Sequence, residues 1–205
     1  MGLTAKEGGQ KFDQIPEGVY GARCFAIYDL GTQAETWQGE EKQMHKVLFM
    51  WEIPELRITV KDKTTGEEKD LPRAISNRYT LSLGDKAKMR AHLESWRGKA
   101  FTNAELEGFD LKNILGKACQ LQVIHNESGG KTYANITSVM ALPKGMTVGP
   151  QETESKFFSF EDGGQIPEGT PEWVRKLICE SAEAKAQAGH PATDKRDEPD
   201  DTLPF

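Results

Sequence analysis

The sequence predicts a mainly β protein: a five-stranded barrel with one principal helix between its third and fourth strands. Three observations carry that expectation. Alternating apolar and polar runs recur between Gly, Pro and Asn turn signals. One stretch of helical periodicity interrupts them, after the third strand region. With 37% of its 205 residues hydrophobic, the chain is long enough for one solid domain with extensions or for two small domains.

The elements follow in chain order. Residues 1–14 are rich in Gly, Lys and Gln and predict a loose start. IPEGVYGARCFAIYDLG opens on a Pro-Glu-Gly turn and becomes a strand ending at Gly31. Its alternation sets Tyr20, Ala22, Cys24, Ala26 and Tyr28 on one face. TQAETWQGEEKQM reads as a polar loop. In HKVLFMWEIP, Val47, Phe49, Trp51 and Ile53 share a face, and Pro54 is expected to close the strand. LRITVKDKTTGEEKDLP predicts an inserted hairpin turning at Thr-Thr-Gly, and ISNRYTLSL a further short strand.

GDKAKMRAHLESWRG is helical, with Met89, Leu93 and Trp96 at i, i+4 and i+7 and Gly98 at its end. FTNAELEGF adds a helical turn with Thr102 and Glu105 at capping-box spacing. Two alternating runs around Glu-Ser-Gly-Gly form the last hairpin, over GKACQLQVIHNESGGKTYANITSVMAL. The resulting order, β-β-β-α-β-β, is that of a five-stranded OB-fold barrel. A β-sandwich rarely places a single helix at this point.

These elements divide the chain into a flexible 1–14, a barrel over 15–145, an extension over 146–189 and a tail over 190–205. The extension carries an aromatic cluster, Phe157, Phe158 and Phe160. A helix is expected over about 171–187, with Thr170 as N-cap and Trp173, Leu177 and Ile178 as its stripe. Residues 190–205 lack periodicity and are rich in acids, which predicts disorder.

Charge is unevenly placed. Residues 16–145 hold 18 Lys and Arg against 17 Asp and Glu, whereas residues 146–205 hold 6 against 13. A near-neutral body can still present a basic groove. Cys24, Cys119 and Cys179 are widely spaced, there is no CxxC, and the four histidines show no HxxxH. Reduced, packed thiols are expected, with no metal and no cofactor. No run of about eighteen apolar residues exists and the N-terminus has no apolar segment, so no membrane association and a cytoplasmic location are expected.

GxSxG, GxxxxGK[ST] and HExxH are all absent, and no enzymatic activity is expected. Asp62, Glu67, Glu68 and Asp70 lie among Lys61, Lys63 and Lys69, as on a solvated ribbon. What remains is basic and aromatic residues on strands, the equipment by which a barrel face holds single-stranded nucleic acid through base stacking and phosphate contact. Candidates are Trp37, Lys42 and Lys46 around the first loop, Arg57 and Lys61 on the hairpin, the pair Arg78 and Tyr79, and Lys131 with Tyr133. Trp51 and Trp96, on apolar faces, are expected in the core. Trp37, with no apolar neighbours, is the strongest stacking candidate, while Tyr79 and Tyr133 suit either role.

The blocks IPEGVYGARCFAIYDLGTQ, HKVLFMWEIP, ISNRYTLSL, LESWRGKAFT, ELEGFDLKNILGKACQLQVIH and TPEWVRKLICESAE together resemble phage-encoded single-stranded-DNA-binding proteins, over roughly residues 15–180. The resemblance implies an OB fold, sequence-tolerant binding of single-stranded DNA in a replication or recombination module, and no enzymatic activity. The terminal DDTLPF is similar to the acidic tip of bacterial single-stranded-DNA-binding proteins, with Thr202 where a third acid often stands. That likeness implies capture of replication or recombination proteins. Leu203, Pro204 and Phe205 would enter an apolar pocket while Asp200 and Asp201 lie along a basic rim. Homo-oligomerisation is compatible with this reading. Two rivals remain: a recombination or nuclease-module enzyme carrying such a barrel, and an adaptor whose barrel binds protein.

Overall fold

A computed structural model of the chain describes residues 14–37, 39–61 and 66–188. The tail residues Asp200, Asp201, Leu203, Pro204 and Phe205 lie outside this set. Five antiparallel strands form a strongly curled half-barrel in the order β3-β2-β1-β4-β5. They are β1 (Gly18–Trp37), β2 (Glu40–Lys61), β3 (Glu68–Thr80), β4 (Ala118–Ser128) and β5 (Lys131–Met140). Helix α1 (Lys88–Arg97) packs on β5 and β3, the two ends of the strand order, and α2 (Asn103–Glu107) and a 3₁₀ turn (Leu111–Ile114) lead into β4.

Local chemistry accounts for these elements. Gly98 ends α1 at φ 67°, a left-handed conformation that costs little without a Cβ, and the N–H groups of Gly98 and Lys99 cap Ser95 and Glu94 carbonyls. Thr102 and Glu105 close the expected capping box of α2. Gly129 and Gly130 supply the two positive φ values of the β4–β5 turn.

The three N-terminal strands are longer than the sequence suggests. TQAETWQGEEKQM is not a loop: Thr32 pairs with His45 and Trp37 with Glu40, so β1 and β2 continue as a two-stranded ribbon. Both faces of that ribbon are largely polar, which removes the apolar alternation that marks a strand. Pro54 does not close β2. It sits in an irregularity between Ile53 and Arg57, where the ladder needs no proline N–H. The expected inserted hairpin is therefore the outer part of β2 and β3 themselves, paired from Arg57 with Pro72 to Lys61 with Glu68.

A bulge between Cys24 and Ala26 changes which residues of β1 face inward. An extra residue flips every later side chain to the other face. Ala22, Cys24 and Ile27 therefore join the barrel interior, while Phe25, Ala26, Tyr28 and Leu30 pack on the opposite side. The expected single face through Ala22, Cys24, Ala26 and Tyr28 is thus broken in two. On β2 the expected face holds: Val47, Phe49, Trp51 and Ile53 all point into the interior, beside Met89, Leu93 and Trp96 of α1.

The outer side of the β1–β2 pair is covered by the chain beyond residue 150. Strand β6 (Lys156–Phe158) pairs in parallel with Ala26–Tyr28, along the edge of β1 that β4 leaves at Arg23. Two helices follow, α3 (Glu172–Cys179) and α4 (Ala182–Ala188), in place of the single helix expected. Val174 and Ile178 bury themselves against Tyr28, Leu30 and Leu48, whereas Trp173 is exposed and lies outside the stripe assigned to it. Thr170 does not cap α3; its hydroxyl donates to the Pro167 carbonyl.

Two buried carboxylates tie this layer to the sheet. Glu52, fully buried, accepts from the backbone N–H groups of Glu152 and Thr153, both at 2.8 Å. A buried charge is tolerable when charge-assisted bonds replace its hydration. Asp29 accepts from the Phe160 N–H at 3.3 Å as well as from Gly31 N–H, and lies 2.6 Å from His45 Nε2. From α4, Glu183 accepts from the Thr32 N–H at 2.6 Å and its hydroxyl at 2.7 Å.

Candidate functional site

Strand alternation and the start of α1 build one open groove of about 720 Å³. Its walls are the ends of β2 and β3 and the turn at residues 82–88. Four cations line it, Lys46, Arg78, Lys86 and Lys88, with a single carboxylate, Asp85, which Arg90 already engages at 2.5 Å. Lys46 is 7% exposed, its ammonium 2.7 Å from Glu35 and donating to Thr80 Oγ1 at 3.2 Å. Glu35 also holds Arg78 at 3.2 Å. One carboxylate thus orients two cations at the wall and leaves the group positively charged.

Of the residues expected at the site, Lys46, Arg78 and Tyr79 come together here. Tyr79 cannot serve as a stacking platform. It is 3% exposed, packs against Phe49 at 5.1 Å between ring centroids, and its hydroxyl meets His92 Nδ1 at 2.9 Å. The reason is again alternation: Ile75 and Tyr79 share the inward face of β3, which leaves Arg78 on the outer one. Burial pushes the Tyr79 phenol well above its usual range. Burial, and then the charge of Lys88, lowers the His92 pKa from its ordinary 6.5, favouring the neutral ring that can accept from Tyr79.

Lys42, Arg57, Lys61, Lys131 and Tyr133 stand outside that lining. Trp37 ends β1 at the ribbon tip, and Lys42 is exposed opposite Glu35. Arg57 is not a free cation: Glu152 at 2.6 Å and Asp70 at 2.9 Å hold it and raise its pKa. Lys61 is exposed on the outer β2–β3 ribbon. Lys131 and Tyr133, the latter 48% exposed, lie on the β4–β5 hairpin. Lys86 and Lys88 carry no local mark of a site in the sequence. In GDKAKM they read as ordinary helix charges, and only the folding of residues 82–88 against β3 brings them to the groove.

Among the described residues no group of His, Cys, Asp and Glu could hold a metal ion, and no helix is long and apolar enough to cross a membrane. The chain matches no protein-family model, and no curated protein is significantly similar to it.

Proposed function

We propose that this chain binds single-stranded DNA without strong base preference and belongs to a replication or recombination module. The observation that carries the reading is the groove in which Lys46, Arg78, Lys86 and Lys88 converge on the curled sheet. Such an open, cationic channel suits a flexible phosphate backbone. Two features support it. The strand order, with β1 in the middle and α1 between β3 and β4, suits an OB-type barrel. The sequence blocks resemble phage-encoded single-stranded-DNA-binding proteins. In this reading Tyr133 supplies an exposed ring, and the terminal Leu203-Pro204-Phe205 recruits partner enzymes.

Titration of oligo-dT followed by fluorescence tests the proposal. If about five phosphates are neutralised, log K falls with log salt at a slope near −3.5. Duplex of equal length should bind much more weakly. The double variant Arg78→Glu/Lys86→Glu should weaken oligo-dT binding at least about tenfold at low salt, since a strand's phosphates would meet repulsion at that wall. Equal affinity for duplex, a flat salt response, or an unaffected variant would overturn the assignment. The tail is tested separately by pull-down from a cell lysate. Phe205→Ala should keep its DNA affinity and lose the captured partners, and a variant that retains them all removes the tail from the proposal.

A further inference from the structure

At the far end of α1 from the groove lies a second cavity, of about 400 Å³, between the helix C-terminus and the segment leading into β4. Its lining holds three cations, Arg97, Lys99 and Lys117, together with Asn113, and no carboxylate. We propose that this cavity is a binding site for a phosphate group, separate from the cationic groove.

Arg97 is the fixed element. Its guanidinium lies over the rings of Phe101 at 4.3 Å and Phe109 at 4.9 Å, contacts that hold the plane in place. One terminal nitrogen pairs with Glu105, while the other, Nη1, is buried and has no hydrogen-bond partner. A buried guanidinium donor without an acceptor is rare in native proteins, and it leaves Arg97, a wall residue of the cavity, with unused hydrogen-bonding capacity. Lys99 and Lys117 are exposed at the mouth, where long flexible stems let an ammonium close over an anion. Lys99 approaches Glu105 only to 3.8 Å, and no described residue pairs with the Lys117 ammonium. Against the three cations stand Glu105 and Glu94, the latter already paired with Arg90 at 3.1 Å. The C-terminus of α1 adds about half a negative charge, which its capping by Gly98 and Lys99 limits. The balance favours an anion. A guanidinium fork beside two point charges matches the oxygens of a phosphate. Asn113 offers a neutral amide for a further oxygen.

The phosphate can belong to a bound DNA strand or to a free nucleotide, and the experiment separates them. Deoxythymidine monophosphate and inorganic phosphate are titrated into the full-length protein by calorimetry. The same titrations are run on Lys99→Glu/Lys117→Glu and on the milder Lys117→Gln. Both lysines are exposed, so the variants should melt as the parent does. Saturable binding of both ligands by the parent, weakened at least tenfold in the double variant and less in Lys117→Gln, is the expected result. Absence of saturable binding, or equal binding by the double variant, overturns the proposal. The oligo-dT salt slope then identifies the source. A slope shallower by about 0.7 in the double variant places one strand phosphate in the cavity, whereas an unchanged slope with lost nucleotide binding assigns it to free nucleotide. A protein that fails to bind oligo-dT removes the proposed function and leaves the nucleotide titration as a valid test of this cavity.

Discussion

Replacing Trp51 by alanine should lower the free energy of unfolding by about 3–5 kcal/mol, the cost of deleting a large buried ring and leaving a cavity. Trp51 is completely buried on β2, with its ring 5.9 Å from Phe49 and 6.1 Å from Trp96. It therefore joins the sheet to α1, and neither neighbour can collapse into the void without leaving its own contacts. For a chain of this size, a loss of that order lowers the melting temperature by about 6–20 °C. The indole Nε1 has no hydrogen-bond partner, so part of the ring's burial is offset by an unmet donor. Trp51→Phe removes that donor and retains an aromatic ring, and should cost much less than Trp51→Ala. Urea unfolding of the three proteins checks both points. A loss below about 1 kcal/mol for Trp51→Ala would mean that the interior repacks freely around the site where the ring met Phe49 and Trp96.

Gly31→Val should cost about 2–4 kcal/mol, and the damage should concentrate in the layer formed by α3 and α4. Two effects add. Gly31 has φ 65°, a left-handed conformation that is worst for a β-branched side chain. A Cβ at this position would also lie 2.7 Å from Ser181 Cβ and 2.9 Å from the Phe160 ring, so α4 must move away. That movement pulls Glu183 from the Thr32 hydroxyl and backbone, the bonds that fix α4 to β1. Gly130→Ala separates the two effects, because Gly130 has φ 73° but open space around it. It should cost about 1 kcal/mol through backbone strain alone. Hydrogen exchange would show residues 172–188 losing protection in Gly31→Val and keeping it in Gly130→Ala. Uniform loss across the sheet, with the helices no worse affected, would sink the local mechanism.

Much of the fold could be read from the sequence wherever one face of an element is apolar and the other is not. Val47, Phe49, Trp51 and Ile53 alternate without interruption, and Met89, Leu93 and Trp96 recur at helical spacing, so the buried middle of β2 and helix α1 are legible. Failures arose where local signals carry no such contrast. The ribbon from Thr32 to His45 is polar on both faces beyond the core and looks like a loop. The bulge at Cys24–Ala26 has no marker residue, yet it sends Tyr28 to the outer side of the sheet. Parallel pairing of Lys156–Phe158 with β1 depends on a partner about 130 positions earlier, which no local pattern reveals. At the candidate site the neighbours Arg78 and Tyr79 were legible as a pair, but not as members of opposite faces. Lys86 and Lys88 needed the three-dimensional placement of a turn.

The parallel strand β6 also sets the order of events when the chain is made on a ribosome. Tyr28, Leu30, Leu48 and Met50 emerge early, but the residues that cover them, Phe158, Val174 and Ile178, lie more than 100 positions later. At about 5–20 residues per second, the interval between Met50 and Ile178 is about 6–26 s. During that time a nascent half-barrel presents an aromatic and aliphatic face to solvent, beside the open edge of β1 that β6 will occupy. A holding chaperone that recognises exposed apolar strand would find its target here, and would be displaced once Phe158, Val174 and Ile178 have been made and cover that face.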